Sequence, residues 1–582
     1  MTTAKRDLRL TTGGRTVVGD RPTALTVARV LAIGFGIGLA VNAALVLGLP
    51  YFVTVDGAAH LGGAAAFADA VLGRTQFVAQ LASIQILPAT NLIPEVPLGF
   101  LSELVGPQWA EKLLIAGFAV GFPLAVLYAV RGVGPRRWWL ASVALPLTFG
   151  FVLNFGLYNY CYGLIGLVLV AGYVARHRAA WTPRSVATLT ALVTLTYMAH
   201  VLPFTQACLL LGVVTLWDWF TDRERSVRSL VHRSAPVAIG VLPGLLLMIT
   251  LIQGSPPGSA ATSLPAAASL IGTLALAWGT VTFDLREAIF TTLVAVALFA
   301  LAVAAILPRI RRRDLRPADA FFVFGLLVVI EVAIVPGGTM LGSGGSYVPQ
   351  RLQVIPVVGL VMWLADRPWS SRVSLALVAA CLVAALGITA LRLPAYSTLS
   401  ATVESYLGVA PCIAPESTIV QANLARIVPG SLDRTDELSD EVGRLSAATH
   451  GWPLANVEFE VGFFPVRNRD DANPYTYLIP DASRTVPMWE PLQRIPPSID
   501  LLGEGRPAAR AVDYVVVFGR SIASAETLAN PDWISLERQL AAAYQRVTTS
   551  SDGLVQVYER TGSDAAARGA AQRSIAPAGA CS

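Results

Sequence analysis

The sequence predicts a polytopic α-helical membrane protein of about eleven transmembrane helices, N-terminus inside and C-terminus outside, ending in an extracytoplasmic α/β domain. Three observations lead to that class. Of 582 residues, 54% are hydrophobic and only 14% are charged, whereas soluble domains carry roughly 25% charged residues. The apolar residues come in blocks of roughly 20, enough to cross a bilayer. The arginines gather between alternate blocks, the bias expected of cytoplasmic turns. A cytosolic enzyme, a disordered chain and a nucleic-acid binder are all excluded. The net charge of +5 is then a product of the arginine-rich turns, and no nucleic-acid partner is expected.

Each element follows in order. Residues 1–24 are polar and basic and form a cytoplasmic tail. The block at 25–49 is too long for a cleaved signal core and is expected to stay as an anchor helix. Further spans are expected at 109–130, 138–153, 157–175, 185–201, 204–220, 235–253, 286–308, 318–336, 350–365 and 373–391. The inner turns hold groups such as Arg131, Arg136 and Arg137, or Arg309, Arg311, Arg312, Arg313 and Arg316. The outer side offers only isolated cations before the C-terminal region: Arg74, Lys112, Arg286, Arg351 and Arg392. The long outer loop 51–108 contains apolar stretches at 61–73 and 76–87, expected as amphipathic helices lying in the interface. A second outer loop, 254–285, is a candidate re-entrant segment. The membrane domain is expected over 25–394 and a soluble domain over 395–560. Within that domain, Tyr514 to Phe518 reads as a buried strand, Trp533 to Val547 as an amphipathic helix and Leu554 to Tyr558 as a final strand. The Ala/Gly/Ser-rich tail 561–582 is expected to be disordered. Five cysteines are too few and too scattered for a disulfide scaffold or a zinc site, but Cys412 and Cys581 share the oxidising side and could pair.

The informative polar residues lie at the outer edge. Asp56 and His60, four apart in Val55-Asp56-Gly57-Ala58-Ala59-His60, share one helical face. They could act as base and partner or share a divalent metal; the alternative is a loop pair with Asp56 as N-cap. Glu95 stands between two prolines in Asn91-Leu92-Ile93-Pro94-Glu95-Val96-Pro97. Glu111 and Lys112 read as a solvated helix start, and Tyr158 and Tyr160 as part of an aromatic belt. His200 reads first as a helix-packing histidine. Tyr347 and Arg351 follow a glycine-rich turn, where an arginine could hold a phosphate or snorkel to lipid headgroups.

The stretches VDGAAHL, NLIPEVPLG, NFGLYNY, YMAHVLPF and PQRL resemble bacterial membrane proteins placed near the GT-C superfamily of polyprenyl-phosphate-sugar-dependent glycosyltransferases. The resemblance covers roughly residues 25–395. It implies an inverting sugar transfer from a polyprenyl-phosphate-linked donor to an envelope glycan or lipid acceptor, at a bacterial cell membrane. Asp56 would be the base and Arg351 would hold the departing phosphate. His60, Glu95, His200 and Tyr347 would bind donor or acceptor. The superfamily's usual acidic pair is reduced to Asp56, because the next residue is Gly57. No cofactor is required by these motifs, and a divalent metal is the one candidate. Two rivals are a lipid flippase or transporter, for which Glu331 inside a span is the pointer, and a non-catalytic envelope assembly protein docking through 395–582.

Overall fold

A computed structural model describes residues 21–222, 225–254, 277–312, 315–334, 348–427, 438–460, 462–469, 498–502, 512–576 and Cys581. The membrane part begins with α1 (Arg21–Gly48). The long segment after α1, expected as an outer loop, supplies α2 (Gly57–Leu72), a short helix at Gln76–Leu81, strand β1 (Ala82–Ile84) and α3 (Leu92–Val105). Helices α4 (Pro107–Val133), α5 (Tyr158–His177), α6 (Pro183–Ala199), α7 (Val201–Thr221) and α8 (Val227–Gly254) follow. Then come α9 (Glu287–Arg312), α10 (Asp319–Ile334), α11 (Val354–Leu364) and α12 (Ser371–Leu407). Among the described residues, seven helices are long and apolar enough to cross a membrane: α1, α4, α5, α7, α8, α9 and α12. Helices α6 and α10 are shorter, with 17 and 16 residues.

Local chemistry sets the boundaries. Helix α6 starts at a capping box between Thr182 and Ser185 with Pro183 in its first turn, and this satisfies amide donors that the helix cannot. The Ser370 side chain accepts from the Val373 amide to start α12. Close helix approach relies on small residues: a Cβ on Gly172 would lie 2.7 Å from the Ala129 Cα, where α5 crosses α4.

Two expected spans take another form. The stretch 138–153 is broken into a 3-10 helix (Pro135–Val143) and two single turns, Ala144–Leu147 and Phe151–Asn154. The stretch 350–365 is split between Val348–Leu352 and α11. The first break has a visible cause. Arg392, expected as an outer-loop cation, is 1% exposed and pairs with Glu287 at 2.7 Å. Its guanidinium also donates to the Phe149 and Thr280 carbonyls. Glu287 in turn accepts from the amides of Thr282, Phe283 and Asp284 at 2.8–3.1 Å. A buried charge must be paired in this way, and the pairing consumes carbonyls that a continuous helix would keep. At the ends expected to be cytoplasmic, Arg309 pairs with Asp319 and Asp366, and Trp363 donates to Asp319 at 2.7 Å. The candidate re-entrant loop falls largely outside the described residues.

The C-terminal region contains β2 (Thr418–Asn423), α13 (Val442–Thr449), β3 (Trp452–Pro453), β4 (Val466–Asn468), β5 (Tyr514–Phe518), α14 (Pro531–Ala543), β6 (Tyr544–Thr549), β7 (Val555–Arg560) and α15 (Asp564–Ile575). Five strands form one sheet in the order β3-β2-β5-β7-β6, with β2 parallel to β3 and β5 and the remaining pairs antiparallel. Along β5, Val515 and Val517 face one core while Tyr514, Val516 and Phe518 face another, the alternation a two-sided strand requires. The expected helix over 533–547 ends at Ala543, and β-branched, aromatic-flanked residues continue it as β6.

Three expectations about this region need correction. The 394/395 boundary falls inside α12, which runs unbroken from Ser371 to Leu407. The tail is not disordered throughout, because α15 is capped by Ser563 and tied down by Arg573 bonds of 2.8 and 2.9 Å to Glu559. A Cys412–Cys581 disulfide fastens it further. Finally, α2 does not present the polar face of an amphipathic helix, since its His60 and Asp69 are both buried. Most of its residues are buried on every side, and Phe67 and Val78 share a core with Val420, Trp452, Val515 and Trp533. Strand β1 also pairs with β4, aligning Ser83 with Arg467. The outer loop and the C-terminal region are therefore packed as one unit.

Candidate functional site

Asp56 occupies the N-cap position of α2, yet its side chain makes no capping bond. Backbone pairing holds the position instead: the Val55 and Asp56 amides donate to the Asn154 and Phe155 carbonyls at 3.1 and 2.9 Å. Gly156, with φ of 87°, permits this approach, since a Cβ there would lie 2.7 Å from the Asp56 nitrogen. The carboxylate is left partly buried. Burial first, and then the nearby Asp440 and Glu458 carboxylates, push its pKa well above the usual range against the opposing pull of His60 and Arg351.

The absence of a second acid at position 57 is explained sterically. A Cβ on Gly57 would lie 2.3 Å from Thr54 Oγ1, 2.4 Å from the Tyr158 hydroxyl and 2.8 Å from Glu111 Oε1. The space belongs to a buried network. The Tyr158 hydroxyl donates to Glu111 at 3.0 Å and lies 2.8 Å from Thr54 Oγ1. Arg444 of α13 grips Glu111 through two bonds of 2.6 and 3.0 Å and also pairs with Glu441. Glu111, expected to be solvated, is 2% exposed, and Lys112 beside it is 5% exposed with its ammonium over the Trp109 ring. Tyr158 and Tyr160, expected in a lipid-facing belt, are also buried. Sequence reading missed Arg444 because its partner lies 333 positions away.

His60 and Glu95 come together from α2 and α3: His60 Nδ1 lies 2.5 Å from Glu95 Oε1. A third residue, Glu458 of the C-terminal region, places Oε1 at 2.8 Å from the same nitrogen. Burial would lower the His60 pKa, but the Glu458 and Glu95 carboxylates outweigh it and hold it well above the ordinary range. Burial raises Glu95 in turn, against the attraction of His60. Glu458 carries no local signal in the sequence. It is delivered by Asn456, which accepts from the Glu458 amide and donates to the Ala59 carbonyl, both at 3.0 Å. His60, Glu95 and Glu458 offer ligand atoms within 4.8 Å of one another and are the described residues able to hold a metal.

The second set sits on the other flank of the α5 N-terminus. Arg351 Nη1 lies 2.9 Å from His200 Nε2, and the Tyr160 hydroxyl donates to the Arg351 carbonyl. The Tyr160 and His200 rings meet edge-on at 5.6 Å. His200 also receives the Leu202 amide on Nδ1 at 3.0 Å, capping α7. His60 stacks on Tyr158 at 5.3 Å, so the first turn of α5 borders both sets. Tyr347 lies outside the described residues. Glu331, the pointer to transport, accepts from Gln206 of α7 at 2.9 and 3.0 Å and so bonds a neighbouring helix.

The fold and this site define a class, a multi-pass, mostly helical membrane protein with a C-terminal sheet region packed against its first long loop. A solved structure makes the likeness concrete. The crystal structure of ArnT from Cupriavidus metallidurans bound to undecaprenyl phosphate is similar over 94% of this chain and 99% of that one, at 13% identity and a TM-score of 0.51. The same protein in the apo state matches over 92% and 97%, with 11% identity and a TM-score of 0.46. No protein-family profile and no curated protein sequence matches the chain.

Proposed function

We propose that this protein is a membrane glycosyltransferase that moves a sugar from a polyprenyl-phosphate donor to an envelope acceptor on the outer face. One observation carries the reading: Asp56 holds an N-cap position without capping, its carboxylate close enough to Arg351 to be influenced by that charge. A side chain released from its local structural duty and within reach of a buried arginine's charge suits general-base chemistry next to a phosphate. The ArnT likeness supports the class of donor, since that structure holds undecaprenyl phosphate.

The steps balance simply. An acceptor hydroxyl attacks the anomeric carbon while Asp56 takes its proton. The bond from that carbon to the phosphate oxygen breaks, and the polyprenyl phosphate leaves with the electron pair. Arg351 faces the developing charge, where electrostatic stabilisation counts most, while His200 and Tyr160 hold the arginine. His60 and Glu95 shape the acceptor side, and Tyr347 is assigned to the donor. A multi-span topology, with the region that follows α12 outside a bacterial cell membrane, belongs to the same proposal.

The test is Asp56→Asn in isolated membranes, with lipid-linked sugars and envelope acceptors followed by mass spectrometry. Transfer should fall by about 10²-fold or more while expression is unchanged. Full transfer by that variant would remove Asp56 as base. The transport reading gains nothing from Glu331, which is engaged by Gln206.

A further inference from the structure

We propose that His60, Glu95 and Glu458 form a divalent-cation site, filled best by Zn²⁺, that fastens the C-terminal region to the outer loop. A ring nitrogen carries one hydrogen at most, yet His60 Nδ1 has a carboxylate oxygen at 2.5 Å and a second at 2.8 Å. One N–H serves one of them and leaves the other facing a nitrogen that offers it nothing. A cation bound by all three atoms satisfies each as a ligand.

Glu458 is 6% exposed and its other oxygen, Oε2, is buried with no hydrogen-bond partner. A buried carboxylate oxygen left without a partner costs on the order of 1–3 kcal/mol, so such an atom points to a ligand. The wall beside it is Gly63, where an ideal Cβ would be 3.6 Å from Glu458 Oε2 and 3.6 Å from Glu95 Oε2. Both second oxygens thus border the same glycine face of α2.

Charge and donor type select the occupant. Metal binding would displace the His60 ring proton, after which two carboxylates and a neutral imidazole sum to −2, which a dication balances in a buried setting. The three ligand atoms lie within 4.8 Å of one another; bonds of about 2.0–2.2 Å hold a ligand pair no more than about 4.4 Å apart, so small side-chain adjustments bring all three onto one ion. An imidazole with carboxylates suits Zn²⁺ over Mg²⁺ or Ca²⁺, which favour oxygen alone. His60 Nε2 makes no hydrogen bond, so the ring is oriented by stacking between Tyr158 and Phe464 at 5.3 and 5.8 Å. His60 and Glu95 belong to the outer loop and Glu458 to the C-terminal region, so the ion would join segments almost 400 positions apart. His60 and Glu95 also border the acceptor side of the proposed transfer, but metal content and unfolding midpoint report on the ion whether or not transfer occurs.

The experiment uses the full-length protein purified in detergent, stripped with a chelator and dialysed against Zn²⁺, with Mg²⁺ and Ca²⁺ in parallel. Metal content is measured by mass spectrometry and the unfolding midpoint by thermal scan. Expected is about one Zn²⁺ per chain, a midpoint raised by Zn²⁺ as binding to the folded state requires, and no rise with Mg²⁺ or Ca²⁺. Glu458→Gln and His60→Gln should each lose the bound Zn²⁺ and the added stability. Wild-type protein that retains no Zn²⁺ overturns the site, whether or not the variants fold. So does equal retention in wild type and both variants, which would put the ion elsewhere.

Discussion

Asp56 shows how one side chain takes its character from surroundings rather than identity. Burial and two neighbouring carboxylates raise its pKa, so a base of this kind should become protonated at a higher pH than a solvated aspartate. The acid limb of the pH–rate profile for transfer is therefore expected above the ordinary carboxylate range. A rate that stays flat down into that range would show that ionised Asp56 is not needed. Gly57 makes a second residue-scale prediction. Its Cβ would meet Thr54, Tyr158 and Glu111 at 2.3–2.8 Å, so Gly57→Ala should cost about 1–3 kcal/mol by overpacking, measured as a lowered unfolding midpoint. Arg444 is the strongest case. Arg444→Met leaves Glu111 and Glu441 buried without their cation, a loss expected near 3–5 kcal/mol. Adding Glu111→Gln should recover part of that loss, because it removes one of the stranded charges.

At the scale of elements, the crossing of α2 and α13 organises the site. A Cβ on Gly443 would lie 2.0 Å from the Ala58 carbonyl, and one on Gly62 would lie 3.0 Å from the Gly443 Cα. Backbones meet there with no side chain between them. The far end of the same crossing is held by His450, whose Nδ1 lies 3.1 Å from Asp69. The hydrogen bond to Asp69 raises the His450 pKa, and burial opposes it. The sign follows from linkage. A histidine raised in the folded state adds stability that is fully present below its unfolded pKa and is lost as pH rises through the folded value. Proteolytic release of α13 should thus increase from mildly acidic to alkaline pH in wild type. The pH dependence should weaken in His450→Asn. The effect will be small, because His450 is about half exposed to solvent.

For the whole molecule, the disulfide between Cys412 and Cys581 closes a segment of 169 positions. It joins the last described residue to the start of the C-terminal sheet region, with α15 packed between. Losing a native disulfide typically costs 2–5 kcal/mol, so Cys581→Ser should lower the unfolding midpoint and expose α15 to proteases. An unchanged midpoint would mean that α15 is held well enough by the Arg573–Glu559 pair and the Arg568 bond to the Glu416 carbonyl.

What the sequence determined by itself is the membrane-embedded class, the strand at 514–518 and the outer-edge candidates Asp56, His60, Glu95, His200 and Arg351. Each is legible because hydropathy and helical spacing act over a few residues, and because scarce polar groups stand out against apolar blocks. Tertiary structure decided the rest. Glu458, Arg444 and Asp440 reach the site from a separate region of the chain, and nothing near them in sequence marks the partners they meet. The same long-range pairing turned Glu111 from a solvated end into a buried acid, broke the segment 138–153 around Arg392, and closed the space at Gly57. Local patterns report which residues leave water. Only the folded chain settles which buried charges find one another, because a buried charge is stable only beside its partner.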